Sequence, residues 1–400
     1  MRFSRKIESC QLSPIRKFHP YAVAAEAQGR KIYHLNIGQP DISTPKEFFE
    51  DIHDFKDDVL AYAPSAGIPK YVESVRQYYH GLGIELDTED ILATNGGSEA
   101  LQIVLQCILD EGDEGLIPEP FYPNYNTFVE LAGGHIHPIP TYAEEGFALS
   151  QRERIEREIT PRTRAILITN PGNPTGAILT PEATRMIADV AKEHDLYVIA
   201  DEVYREFVYG DEQVVSLAEF PDMAQNVVVI DSISKRFSAC GARIGALISR
   251  NKELIHHAMK VCQGRLCCST LDQLGAAALY SEGPAYFAAQ KAEYHRRRDT
   301  VMAKLEQIPG VVCKCPQGAF YLMVKLPIDN ADDFQKWLLT EFEDTGETVM
   351  FAPGEQIYGT PGRGRDEIRL AYVLKQEDLE RAGALLAMGM ERYRKERGLA

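Results

Sequence analysis

Ala165-Ile166-Leu167-Ile168 runs into Thr169-Asn170, and further on Leu196-Tyr197-Val198-Ile199-Ala200 runs into Asp201. Both runs are short, apolar and rich in β-branched residues, and each stops at a polar or turn residue. That is the pattern of a strand buried on both faces. Between them, Pro181 to His194 carries a helix-like pattern, and a third run, Val227-Val228-Val229-Ile230, ends at Asp231. Strand, helix and strand in this rhythm predict a parallel sheet with helices on both faces. Ligands of such sheets bind beyond the carboxyl ends of the strands, so polar residues there are the first place to look for function.

Outward from this centre the chain divides by character. Its 400 residues suggest about two domains on a prior of ~150 residues each. Residues 1–45 read as an arm and loop rich in Pro and Gly that joins a small domain. Residues 46–284 read as the large α/β domain. Residues 285–400 read as a smaller α+β domain: a long charged helix from Pro284 to Ile308, a strand Gly318–Val324, another helix and a strand Glu367–Tyr372. No internal repeat or low-complexity segment interrupts this.

Composition excludes several classes of function. With 44% hydrophobic and 26% charged residues, the chain is expected to be soluble and to bury a core. A net charge of -16 and a pI near 5.2 are the wrong sign for a nucleic-acid partner. The one basic run, Arg296-Arg297-Arg298, reads as a solvated helix face. The eight cysteines form no Cys-x-x-Cys pair, so free thiols in a reducing compartment are expected rather than zinc or redox work. His256 and His257 are neighbours that would point apart on a helix, so no metal is expected there. The N-terminus has no apolar signal core and no apolar run approaches ~18 residues, so no membrane contact is expected and the cytoplasm is the default location.

The chemistry-bearing residues fall at the predicted strand ends and helix starts. Asn95-Gly96-Gly97-Ser98-Glu99 precedes Leu101, Val104, Leu105 and Ile108 at helical spacing. Such a start is either simply a helix start or a phosphate site, where free backbone N–H groups meet the positive end of the dipole. In Asn170-Pro171-Gly172-Asn173-Pro174-Thr175-Gly176 the Asn173 amide offers both a donor and an acceptor, unless the loop is only a turn. Asp201 is either a helix N-cap or, with Tyr204 three residues on, a carboxylate facing a ligand. Lys235 follows the third strand in Ser232-Ile233-Ser234-Lys235-Arg236. A lone Lys is ordinarily a surface solubiliser, but desolvation frees an amine to act as a nucleophile. Arg243 brings a fork that fits phosphate oxygens.

In their order and spacing these segments resemble the fold-type I, class I/II aminotransferases that use pyridoxal 5′-phosphate, in the aspartate aminotransferase-like group. Ser232 to Gly245 fits the family's lysine-attachment signature at every restricted position. Gly38-Gln39-Pro40-Asp41, Tyr62-Ala63-Pro64-Ser65-Ala66-Gly67, Gly96-Gly97-Ser98, Pro120-Phe121-Tyr122-Pro123, Asn173-Pro174-Thr175-Gly176, Asp201-x-x-Tyr204 and Arg369-Leu370-Ala371 follow the family's order. The resemblance covers roughly residues 12 to 390. It implies that Lys235 holds the cofactor as a Schiff base and, once displaced by the amino acid, acts as the general base of a ping-pong reaction with amino and 2-oxo acids. It implies that Asp201 pairs with the pyridine nitrogen, Tyr204 and Asn173 hydrogen-bond the ring oxygen, and Tyr122 stacks on the ring. Gly97, Ser98, Ser232 and Arg243 would form the phosphate cradle, assisted by Ser234 and the Glu99 backbone. Tyr62 would reach the phosphate from the neighbouring subunit of a homodimer with shared sites. Arg369 would fork onto the substrate α-carboxylate beside the Gly38 backbone.

Two other readings keep their place. A fold-type I lyase or decarboxylase would share fold and cofactor but not reaction. A ligand-sensing regulator would need a DNA-binding domain, for which the arm before Gly38 is short and the charge opposite. For substrate choice, Arg265 stands four residues before Ser269, the spacing at which aspartate-specific relatives place an arginine that reaches the neighbour's site. It is either that reader of a side-chain carboxylate or a structural or phosphate-neighbouring arginine.

Overall fold

A computed structural model describes residues 1–210 and 213–399. Its largest sheet has seven strands in the order Ile91–Thr94, Gly245–Ile248, Val227–Ser232, Tyr197–Asp201, Thr163–Thr169, Glu114–Glu119 and His135–Pro140. Every pairing is parallel except those that flank Gly245–Ile248. The fold class is thus α/β with a mainly parallel sheet.

The apolar runs form strands because both faces of this sheet are covered. Successive side chains of a strand point to opposite faces. Ile166 and Ile168 accordingly join one core with Val198, Ala200 and Val229. Ala165 and Leu167 join the other with Ile199, Val228 and Ile230. Helices Pro69–Gly81, Pro181–Glu193 and Thr270–Leu279 bring buried residues to the first core, and Gly96–Ile108, Asn124–Ala132 and Lys252–Arg265 to the second. Helix starts are set locally: Thr180 accepts from the Ala183 N–H and Ser269 from the Asp272 N–H.

A second body packs on this sheet. Strands Ala352–Pro353, Glu367–Ala371 and Tyr321–Lys325 form an antiparallel sheet in that order. Helices Pro284–Leu305 and Gln376–Arg397 share their own core with it, around Phe320, Phe334, Trp337 and Tyr393. The helix from Pro284 ends at Leu305 rather than at Ile308, and the strand begins at Tyr321 rather than at Gly318. Ala319 has a φ of 54°, which no strand can hold.

The arm is more regular than its Pro and Gly content suggests. It holds helices Arg5–Ser9 and His19–Ala27, a 3₁₀ turn Pro14–Arg16 and a strand Lys31–His34. The strand pairs in parallel with Glu347–Met350. Phe18, Ala22, Ala25 and Ile32 close a small core with Leu339 and Met350. The arm's middle is therefore bound to the C-terminal part of the chain, while Ser9 at its start hydrogen-bonds Glu130 of the large sheet's helices at 2.5 Å.

Candidate active site

The topology brings the polar ends of distant strands to one edge. Thr169 and Asp201 are register partners at the carboxyl ends of adjacent parallel strands. Ser232 ends the next strand and faces Gly245, which in turn faces Thr94. Because Gly245–Ile248 runs antiparallel, it begins where its neighbours end. That is why Arg243, just ahead of it, and Gly96-Gly97-Ser98, just after Thr94, reach the same edge. Between this edge and the second body lies a cavity of about 500 Å³.

Lys235 stands in the one-turn helix Ile233–Arg236 that follows Ser232. Its Nζ donates to the Gly38 carbonyl at 2.9 Å and lies 3.8 Å from the Cys240 Sγ. Gly38 must lack a side chain: a Cβ there would fall 1.8 Å from the Tyr321 hydroxyl, which approaches the same carbonyl at 3.4 Å. The helix Ile233–Arg236 is clamped from below. Arg236 makes a two-pronged contact with Asp231 at 2.7 and 3.2 Å, and both side chains are 1% exposed.

Asp201 caps no helix: a turn follows it. Its carboxylate accepts from the Tyr125 hydroxyl at 2.6 Å and from the Val203 N–H at 3.4 Å. Burial pushes its pKa up to about 6, against the pull of the Tyr125 hydrogen bond and of the Lys235 charge. Tyr204 receives a hydrogen bond from the Asn173 amide at 3.3 Å and lies 3.1 Å from the Tyr321 hydroxyl. Burial raises the Tyr204 pKa well above the ordinary phenol value, so it stays a neutral donor. Burial likewise raises Tyr122 to about 12, and its ring meets Tyr125 edge-on at 5.4 Å.

On the far wall Arg369 is 2% exposed. It donates to Asn173 Oδ1 at 3.2 Å and to the Asn36 carbonyl at 2.6 Å, and its Nε has no partner among the described residues. At the helix start, Arg243 donates to the carbonyls of Cys240 and Asn95 at 3.0 and 3.3 Å. Gly96, at φ +75°, lets that guanidinium in: a Cβ would meet Arg243 Nη2 at 2.6 Å. Ser232 and Ser234 hydroxyls lie 2.8 Å apart beside it.

Gly38, Gly97, Ser98, Tyr122, Asn173, Asp201, Tyr204, Ser232, Ser234, Lys235, Arg243 and Arg369 thus share one cavity. Three expected residues stand outside it. Glu99 turns its carboxylate back to the Asn95 N–H at 2.7 Å and to Arg265 at 3.4 Å. Arg265 is held within its own chain by Glu99, the Ala93 carbonyl at 3.0 Å and the Cys268 thiol at 2.8 Å. Tyr62 is 80% exposed. Sequence reasoning missed Tyr125, Tyr321, Asn36 and Arg16. None of them sits at a spacing in the chain that marks it for the site. Among the described residues no group of His, Cys, Asp and Glu is arranged for a metal, and no helix is long and apolar enough to cross a membrane.

With this geometry in place, a family described as aminotransferase class I and II matches residues 30–382. The chain is 30% identical to an aspartate aminotransferase of Geobacillus stearothermophilus, across 96% of this chain and 97% of that one. It is 33% identical to aromatic-amino-acid aminotransferase 2 of Thermococcus litoralis, across 96% of each. A solved alanine aminotransferase of Pyrococcus furiosus superposes with a TM-score of 0.90 at 29% identity, covering 98% of this chain and all of that one.

Proposed function

We propose, for a chain that belongs to the aminotransferase class I and II family and is a transaminase, that Lys235 carries pyridoxal 5′-phosphate and that the cavity passes the amino group of an L-amino acid, dicarboxylic ones included, to a 2-oxo acid. One observation carries this reading: a single cavity gathers an amine, a buried carboxylate and two separate guanidinium groups, in Lys235, Asp201, Arg243 and Arg369.

The residues fit the cofactor. Asp201 is a buried carboxylate whose oxygens accept from a phenol and a backbone N–H but from no cation, and a protonated ring nitrogen is the partner its charge calls for. The Gly97-Ser98 helix start, the Ser232 and Ser234 hydroxyls and Arg243 would hold the phosphate. Tyr122 would lie on the ring, and Asn173 with Tyr204 would meet its oxygen. When bound, pyridoxal 5′-phosphate supplies an electron sink for the pair left on the substrate Cα.

This chain's own residues do the rest. Arg369 forks onto the substrate α-carboxylate, and the planar guanidinium sets the orientation of the Cα–H bond. Lys235 Nζ would take the proton from the substrate Cα and deliver it to the cofactor's C4′ carbon, and in the reverse half-reaction would carry a proton from that carbon to the Cα of the second substrate. Asp201 would hold its negative charge against the protonated ring nitrogen, in a buried site where water screens that charge little. Both substrates use Arg369 and one cavity, so the first 2-oxo acid leaves before the second enters, the ping-pong order. The working unit is proposed as a homodimer, with Tyr62 serving the neighbour's phosphate. Val59, Leu60 and Tyr62 in one segment, and Leu266, are large apolar side chains left exposed on one copy. Eight free cysteines support a reducing, cytoplasmic location.

The test is a half-reaction. The wild-type protein loaded with cofactor and mixed with amino acid alone should release one 2-oxo acid per site and stop. Continuous release of pyruvate and ammonia would refute transamination. Lys235→Ala should yield no chain-linked cofactor after borohydride reduction, read by mass spectrometry. Retained reducible cofactor on that variant would remove Lys235 from its role.

A further inference from the structure

Four cations line the cavity, Arg16, Lys235, Arg243 and Arg369, against one carboxylate, Asp201. Three of the four have hydrogen-bond partners and a part in the reading above. Arg16 has neither. Its guanidinium makes no hydrogen bond and no ion pair with any described residue, although it borders the space the substrate would fill. We propose that Arg16 reads the distal carboxylate of a dicarboxylic amino or 2-oxo acid, so that the arm of this chain sets its substrate class.

The argument rests on where the arginine is anchored, because a loose surface arginine would read nothing. Arg16 closes the 3₁₀ turn Pro14–Arg16: its N–H donates to the Ser13 carbonyl at 3.1 Å and the Lys17 N–H to the Pro14 carbonyl at 3.3 Å. The Asn36 amide donates to the Ile15 carbonyl at 3.4 Å, and the Asn36 carbonyl accepts from Arg369 at 2.6 Å. One residue thus ties the turn that carries Arg16 to the arginine proposed for the α-carboxylate. On the other side, Lys17 pairs with Asp332 and Phe18 is buried against Leu339 and Met350. The turn that carries Arg16 is therefore held at a fixed offset from Arg369, which keeps the Arg16 side chain within reach of the far end of a substrate whose α-carboxylate Arg369 binds. A guanidinium matches a carboxylate with two parallel hydrogen bonds. Arg265, the other candidate, has both terminal nitrogens hydrogen-bonded within its own chain, to Cys268 and Ala93, and its Nε 3.4 Å from the Glu99 carboxylate.

This inference rests on the aminotransferase reading, and the experiment separates the two. Arg16 is exposed, so Arg16→Gln disturbs no core. In the cofactor-loaded enzyme, the ratio of kcat/KM for aspartate to kcat/KM for alanine should fall about 10- to 100-fold, the scale of one charge-assisted contact. Binding of succinate, followed through the visible band of the bound cofactor, should weaken by the same factor, while binding of butyrate should not follow it. Arg16→Lys should recover part of both. An unchanged aspartate-to-alanine ratio in Arg16→Gln overturns the proposal, as does a wild-type enzyme that binds succinate no better than butyrate. A wild-type enzyme that forms no 2-oxo acid from any amino acid overturns the aminotransferase reading instead.

Discussion

Tyr125→Phe removes one oxygen, and its effect can be worked from the structure. The hydroxyl donates to the Asp201 carboxylate at 2.6 Å inside a buried site. Burial already lifts Asp201 to about 6, and the Tyr125 hydrogen bond is the first influence holding it down. A hydrogen bond to a buried charge contributes about 1.5–3 kcal/mol, or ~1–2 pKa units at 1.36 kcal/mol each. In the variant Asp201 should therefore titrate near pH 7–8 by the same arithmetic. The Thr169 hydroxyl, 2.6 Å from the same phenol, loses its partner in both protonation states and drops out of the difference. The sign follows from linkage. The folded-state pKa is raised, so Asp201 favours the apoprotein at low pH and opposes it once ionised. Only the ionised form pairs with a protonated ring nitrogen, so cofactor affinity should fall as pH drops through the Asp201 pKa. The wild-type apparent Kd for pyridoxal 5′-phosphate should weaken below about pH 6, up to tenfold per pH unit, and the variant should begin to weaken below about pH 7–8. Titrating apoprotein by visible absorbance from about pH 5 to about pH 9 reads both curves. Any contribution of Lys235 is common to the two and cancels. A variant whose affinity drops equally at every pH, with no displaced midpoint, would refute the argument and leave Tyr125 a packing residue.

Arg369→Lys should lower kcat/KM for every amino and 2-oxo acid by about 2–4 kcal/mol, because an ammonium cannot span Asn36, Asn173 and a carboxylate together; a loss confined to dicarboxylates would show that Arg369 reads the side chain. Arg236→Met strands the Asp231 carboxylate in a site 1% exposed and should cost about 3–5 kcal/mol in urea-unfolding stability. A loss within about 1 kcal/mol would show that the pair is dispensable. Tyr62→Ala and Lys235→Ala proteins, each impaired alone, should regain activity when mixed and allowed to exchange subunits, since one site then receives only wild-type residues. Verified exchange without recovery would refute site sharing.

The sequence carries the sheet well because burial on both faces writes itself into short apolar runs. Ala165 to Ile168 and Val227 to Ile230 serve two cores at once, and no polar alternation interrupts them. The regular elements within the arm escape the sequence for the converse reason. Lys31–His34 is held by a partner strand at Glu347–Met350 and buries Ile32 and Tyr33 outright, too little local pattern to be read. Strand ends and helix starts also located the cavity, since Asp201, Ser232, Gly97 and Arg243 meet through sheet order. What stayed hidden were contacts made across the fold. Tyr125 finds Asp201, and Tyr321 presses on Gly38 so closely that no side chain fits there, through pairings that no spacing in the chain encodes.

The two arginines show what decides such cases. Arg265 drew notice through its spacing from Ser269, yet spacing says nothing of where a guanidinium points. In the fold its donors meet a carboxylate, carbonyls and a thiol of its own chain. Arg16, between Ile15 and Lys17 in an arm read as loop, offered no pattern at all. It becomes informative only by subtraction, once every other charge in the cavity has been matched. Arg16 is therefore the cation left for a ligand to satisfy, and it is carried on a turn that Asn36 ties to Arg369.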